Sequence, residues 1–142
     1  MPDPLAPLAT LVIKDGVSLG GLSDSARTLA LGLVWAGLPL RVMTEREVNE
    51  ALKLQLAGAA GFLGTDHVEL RRWLCDAGWM QRDGFGREYR RVAPDALPAA
   101  HRDLAAVLES TFDGRDTAAY VLARRAEHAA AREARRRAHV AG

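Results

Sequence analysis

The chain has 142 residues, 49% of them hydrophobic, which is enough for one compact domain with its own core but too short for two full domains. Its 19 lysine and arginine residues oppose 18 aspartate and glutamate residues, so the net charge is +1 and a uniformly basic protein that coats polyanions is excluded. The single cysteine, Cys75, cannot form an intramolecular disulfide. We expect no export signal, because an acidic residue and two prolines stand where such a signal would carry lysine or arginine. We therefore expect a soluble, cytoplasmic protein without a membrane partner.

Three segments can be distinguished along the chain, residues 1–22, 23–93 and 94–142. In the first segment, two short β-prone runs flank Asp15 and Gly16, a dipeptide typical of tight hairpin turns. We therefore predict a small N-terminal hairpin for residues 1–22.

The second segment begins with two predicted helices. Ser23 or Asp24 can cap the first of these helices, and Pro39 should end it because a proline pushes the preceding residue out of the helical region. Thr44 and Glu47 have the spacing of a capping box, in which side chain and backbone exchange hydrogen bonds at a helix start. A second helix is predicted to follow them.

A glycine-rich run at residues 58–64 should end the second helix. Asp66 then begins a third helix with its apolar positions on one face, and Gly78 suits its end. Two β-prone segments follow, joined by a glycine-rich turn at residues 83–86. This order is that of a winged helix, whose third helix enters the DNA major groove and whose hairpin forms the wing. We predict a mainly α fold with a small β wing (α+β), a winged helix-turn-helix followed by C-terminal helices.

The third segment is predicted to be helical. Apolar positions spaced for packing run from Ala99 to about Phe112, and the residues from Asp113 to Asp116 should break this helix. A last helix begins near Thr117, and its bulky apolar residues lie only in its first turns. We expect its final dozen residues to be a frayed or partner-dependent helix.

Charge is distributed unevenly, because residues 120–142 hold six arginines and two glutamates. This end therefore carries a net charge of +4, whereas residues 1–119 carry −3. The last helix could contact the DNA backbone, join a homodimer through Leu122, Ala126 and Ala129, lie against the acidic body, or lie in solvent held by its own ion pairs. The candidate backbone contacts are Arg132, Arg135, Arg136 and Arg137.

The motifs TEREVNEAL, LRRWL and RDGFGREYRR resemble those of the bacterial domain-of-unknown-function family 2087. The resemblance covers residues 22–92, about half of the chain, and implies a winged-helix domain. Some members are similar to modules fused to repressor-type DNA-binding segments, and the family has no settled activity to carry over. The connection between Leu52 and Asp66 is longer than the short turn that the resemblance implies. The matching residues are Thr44, Glu45, Glu47, Val48, Asn49 and Leu52, then Asp66, Leu70, Arg71, Arg72 and Leu74, and in the wing Arg82, Asp83, Gly86 and Tyr89.

Six arginines form the candidate DNA-binding surface. They lie on the third helix and along the hairpin, and guanidinium groups bind both phosphates and guanine edges. Strand alternation prevents all of them from pointing one way, and residues 66–78 carry a net charge of −1. The candidate residues are Arg71, Arg72, Arg82, Arg87, Arg90 and Arg91.

The alternative interpretation is a protein-protein interaction adaptor that binds an acidic partner with the winged helix and the arginine-rich helix. Enzymatic activity is not expected, because the four histidines are scattered without metal-ligand spacing and the glycine-rich turn joins two strands instead of opening a helix. We expect no catalytic residue, no metal and no cofactor. The favoured hypothesis is a regulator-like winged helix that binds double-stranded DNA.

Overall fold

The computed structural model describes residues 3–85, 87–112 and 116–141. Helices dominate these residues and three short strands form one antiparallel sheet, so the predicted mainly α fold with a small β wing is confirmed. The elements are α1 (Ala6–Leu11), α2 (Asp24–Gly37), β1 (Met43–Thr44), α3 (Glu45–Ala57), α4 (His67–Asp76), β2 (Met80–Arg82), β3 (Glu88–Arg91), α5 (Ala99–Thr111) and α6 (Thr117–Ala141), with single 3₁₀ turns at Leu19–Gly21 and Pro94–Ala96.

The N-terminal segment is helical, so the hairpin predicted for residues 1–22 is wrong. Leu5, Leu8 and Leu11 are about one helical turn apart, and all three are buried. Helix α1 packs this face against α2, and the burial outweighs the β propensity of the residues that follow. Pro7 lies in the first turn of α1, where a missing N–H costs nothing.

At Asp15 and Gly16 the chain bends but does not form the predicted hairpin turn. Gly16 has a φ of 64°, a conformation that favours glycine. Beyond it, Val17 forms a parallel bridge with Leu63, in the connection between α3 and α4. That connection is packed rather than loose, because Phe62 is buried and its carbonyl accepts a hydrogen bond from the N–H of Val17 at 2.9 Å.

The three helices of the second segment begin where their caps predict. Ser23 Oγ accepts a hydrogen bond at the start of α2, and Asp66 Oδ1 does so at the start of α4. Thr44 and Glu47 form the predicted capping box of α3. Gly78, just after α4, has a φ of 84°, which confirms it as the residue that ends the helix.

The sheet has the strand order β1-β3-β2, and β2 with β3 forms the predicted wing. Arg82 pairs with Tyr89 and Gln81 pairs with Arg90 across the two strands. Since side chains alternate along a strand, Tyr89 and Arg91 point into the protein while Glu88 and Arg90 point out. At the tip, the N–H of Arg87 donates to Asp83 Oδ1; Gly86 lies outside the described residues.

Aromatic packing joins the wing to α2 and α5. Trp35 and Trp79 are fully buried with ring centroids 5.4 Å apart. His101 of α5 stacks on Trp79 at 4.5 Å, and its Nε2 lies 2.9 Å from the carbonyl oxygen of Ala77. Helix α5 occupies the predicted range, and one continuous hydrophobic core includes residues of all three predicted segments.

Helix α6 packs on the body only at its beginning. Thr117 and Val121 are buried, whereas most side chains beyond Arg125 are exposed although the helix continues to Ala141. The helix break predicted at residues 113–116 falls largely on residues 113–115, which lie outside the described residues. Within the described part of the chain, each helix is too short or too polar to span a membrane.

Candidate nucleic-acid interface

Helix α4 is held to the body by one face and presents the other to solvent. Leu70 and Leu74 are fully buried. The exposed side of the helix carries Glu69, Arg72 and Asp76, and its exposed cap is Asp66. Three carboxylates thus accompany one guanidinium on the surface that a recognition helix would turn towards DNA phosphates.

Arg71 of α4 is used inside the protein. Its side chain is only 16% exposed, its Nη1 donates a hydrogen bond to Asn49 Oδ1, and it lies 3.4 Å from the carboxylate of Glu45. The guanidinium also lies over the ring of Tyr89, 5.2 Å from its centroid. Arg71 therefore joins α4 to α3 and β3, a role that could not be recognised from a sequence that shows only the basic pair Arg71 and Arg72.

Arg91 was predicted as a DNA contact, and its position contradicts this. Its side chain is 3% exposed, lies over the Trp35 ring at 4.1 Å, and forms an ion pair with Glu109 of α5. Its Nη1 also donates to the Trp35 carbonyl at 3.1 Å. The physical reason is strand alternation. Arg91, like Tyr89, lies on the inward side of β3 and therefore occupies a position in the core.

Four of the six candidate arginines remain at the surface. Arg82, Arg87 and Arg90 lie on the wing, and Arg72 lies on α4. Arg90 Nε donates to Gln81 Oε1 at 3.2 Å, and Arg87 lies 5.9 Å from the Phe85 ring centroid. Among the described residues, none of the four forms an ion pair.

Arg72 and Arg82 line one groove of about 360 Å³ between α4 and the wing. Cys75 lies in its wall, where burial raises the pKa of the thiol and the neighbouring Arg82 partly opposes that rise. The thiol is therefore protonated at neutral pH and a poor nucleophile. The groove offers a ligand the exposed guanidinium groups of Arg72 and Arg82, and its wall also contains Asp76 and the engaged Arg71.

A second groove, of about 320 Å³, crosses the outer side of the wing. Arg82 and Arg90 line it together with Asp83 and Glu88. Over α4 with its cap and the wing together, the exposed groups comprise four arginines and four carboxylates, a net charge of zero, and Asp83 is half-buried. Three of the four arginines lie on the wing, whereas Arg72 lines both the groove next to the wing and a hollow that it shares with Asp66.

A hollow of about 480 Å³ beside α4 was not expected from the sequence. Trp73 lies in its wall with Arg72, Asp66, Glu69 and Asp76, and Trp73 Nε1 lies 3.4 Å from Glu69 Oε1. Arg27 of α2 covers the indole ring at 4.6 Å. Helical spacing groups Trp73 with the apolar positions Leu70 and Leu74, yet in the structure its side chain is partly exposed.

The four arginines predicted as backbone contacts near the C-terminus are all exposed. Arg136 and Arg137 each lie within 3.5 Å of the carboxylate of Glu133. Arg132 and Arg135 form no ion pair with any described residue. The structure does not place these four side chains in one group, because Arg137 lies on a different side of α6 from the others.

Comparison with known proteins identifies a family for the central segment. Residues 23–91 match the model of a family described as an uncharacterized protein conserved in bacteria, DUF2087. No curated protein and no solved structure matches the chain. The matched residues extend from the cap of α2 to the end of β3, so the family match coincides with the helix-turn-helix and its wing.

Proposed function

We propose that this chain, whose residues 23–91 match the DUF2087 family model, is a regulator-like protein that binds double-stranded DNA through arginine-phosphate contacts made mainly by its wing. The observation that supports this proposal is the set of exposed arginines on the wing and the adjacent side of α4. Guanidinium groups without a carboxylate partner are available for bidentate contacts with phosphate oxygens. The set is Arg72, Arg82, Arg87 and Arg90.

Helix α4 has a supporting role in this proposal. Its exposed carboxylates would repel phosphates on both sides of a major groove, and Arg71 is engaged with Asn49 and Glu45. Base reading by α4 would therefore depend on Arg72 alone. We expect affinity that varies little with DNA sequence, because phosphate contacts position a protein without reading bases.

The test is the salt dependence of binding to a fluorescently labelled duplex of random sequence. The variant R82A/R87A/R90A should reduce the slope of log K against log salt by about 0.9 for each contact removed. K53A is a suitable control, because Lys53 is an exposed cation on α3 that lines neither groove. An unchanged slope in the triple variant would remove the wing from the interface.

A second candidate function is docking of a protein partner on α4, and the hollow beside Trp73 favours it. Its three carboxylates outnumber the one guanidinium, that of Arg72, and together with the partly exposed indole they suit a partner that presents a cation next to an apolar side chain. Such a cationic partner differs from the acidic partner that the sequence predicts for the winged helix and the arginine-rich helix. Absence of duplex binding by the folded wild-type protein at low salt would favour docking over the DNA proposal.

A further inference from the structure

The inward face of α6 changes character along the helix. At about 100° per residue, Thr117, Val121 and Arg125 fall on one side of the helix. This side contacts the body, because Thr117 and Val121 are buried. Arg125 Nη1 donates hydrogen bonds to the carbonyls of Val12 and Lys14. Arg125 also forms an ion pair with Asp15 at 2.8 Å. The direction of this face is therefore fixed by contacts in the first turns.

The same face becomes a row of basic side chains where α6 leaves the body. Arg132, Arg135, Arg136 and His139 fall within about 100° of arc on it, and all four are exposed. We call these four residues the basic stripe. Arg137 falls about 140° away from Arg132 around the helix and is not part of it.

We infer that the basic stripe is a second DNA-contacting surface that binds the phosphate backbone; this inference rests on the proposed function of the wing. The wing and α4 together expose no net charge, which gives little long-range attraction to a polyanion. The end of α6 supplies the missing positive charge. Along the helix axis the successive members of the stripe are about 4.5, 1.5 and 4.5 Å apart, so they face a partner whose negative charge repeats at short intervals.

The composition of the stripe distinguishes phosphate from other partners. Its neighbours on α6 are mainly alanines, and beyond Arg125 the only larger apolar residue is Val140. A helix that lies in a membrane surface needs bulky apolar side chains opposite its charges, and a stable protein interface needs an apolar core. The stripe has neither, so its binding energy must come from charge, as in non-specific DNA binding.

Arg136 and Arg137 form a matched pair for testing this inference. Both are exposed and both pair with Glu133, so replacing either by alanine removes one charge and one weak ion pair. Alanine also has the higher helix propensity, so neither change disrupts α6. The two variants differ mainly in the side of the helix that loses its guanidinium.

The experiment measures binding of the full chain to a labelled random duplex between about 50 and 200 mM salt. R136A should reduce the salt slope by about 0.9 and R132A/R135A/R136A by about 2.7, whereas R137A should leave it unchanged. If R137A lowers the slope as much as R136A, or the triple variant keeps the wild-type slope, the stripe is not a phosphate contact.

Failure of this inference can be distinguished from failure of the wing proposal. If R82A/R87A/R90A weakens binding and R132A/R135A/R136A does not, the wing proposal stands and the stripe is excluded. If only R132A/R135A/R136A weakens binding, the inference stands and the wing is not part of the DNA interface. If the wild-type chain binds no duplex but forms a salt-sensitive dimer that R132A/R135A/R136A abolishes, both DNA assignments are wrong and the stripe binds a second copy.

Discussion

Arg91 ties β3 to α5 from inside the core. Its guanidinium lies over Trp35, donates to that residue's carbonyl and pairs with Glu109. A buried arginine is retained only where its hydrogen bonds and its charge are satisfied, because the unpaired group would carry a large desolvation penalty. The same side chain type one position earlier, in Arg90, points to solvent and can take part in binding.

These neighbouring residues give a matched stability prediction. R91A should lower the free energy of unfolding by about 2 to 4 kcal/mol, because it removes charge-assisted hydrogen bonds and packing from the core. R90A should change it by less than about 0.5 kcal/mol. Urea denaturation followed by circular dichroism measures both, and equal effects would contradict the burial of Arg91.

At the residue scale, the sequence predicts which side chains could bind phosphate but not which are available. Side-chain alternation along β3 already places Arg90 and Arg91 on opposite faces of the strand. Whether a given face meets the core depends on how the sheet packs on α2 and α5, which is a tertiary property. The burial of Arg71 could not be predicted either, because its hydrogen-bond partner Asn49 is 22 residues away in the chain.

Local caps determine where the helices begin. The capping box of α3 includes the carboxylate of Glu47, whose pKa is lowered by the backbone N–H of Thr44, by the side chain of Arg41 and by the Thr44 hydroxyl. A carboxyl group whose pKa is lower in the folded state stabilises that state at pH values above its unfolded pKa. The contribution is lost as the pH falls through the folded value.

The capping box therefore predicts a pH-dependent difference between wild type and E47Q. The wild-type chain should be the more stable near neutral pH, and the difference should shrink as the pH falls below the ordinary carboxyl value of 4.5. Thermal unfolding of both proteins between pH 7 and pH 3 measures this. A difference that stays constant over that range would show that the charge of Glu47 does not act on α3.

At the element scale, most of the second segment could be predicted because its signals are local. Caps at Ser23, Thr44 and Asp66 and the glycine at position 78 act within one turn of the helices they limit. The helix of the first segment could not be predicted in this way, because β propensity and helical leucine spacing favour different structures there. Packing of α1 against α2 decides between them, and that packing is not visible in a short window of sequence.

At the scale of the whole molecule, α6 offers two different surfaces. The basic stripe continues the side that faces the body, whereas Leu122, Ala126 and Ala129 lie roughly 100° further around the helix. Leu122 is 72% exposed although it follows a buried valine. The homodimer predicted from this second surface would leave the stripe free for phosphate.

This arrangement predicts that Leu122→Glu abolishes self-association. A carboxylate placed in an apolar seam is costly to desolvate, so the sedimentation coefficient should fall to that of a monomer. A123E is the control, because Ala123 is exposed about 100° further around α6 and should not affect the seam. A dimer that persists in L122E, or a wild-type chain that is already monomeric, would contradict a seam on this face.

The central claim is that a chain of nearly neutral net charge binds duplex DNA through local sets of arginines. The most direct test is fluorescence anisotropy of a labelled random duplex titrated with the wild-type chain at several salt concentrations. Roughly six phosphate contacts, three from the wing and three from α6, predict a slope of log K against log salt near −5. The absence of binding at low salt, or binding that does not weaken as salt is added, would contradict the claim.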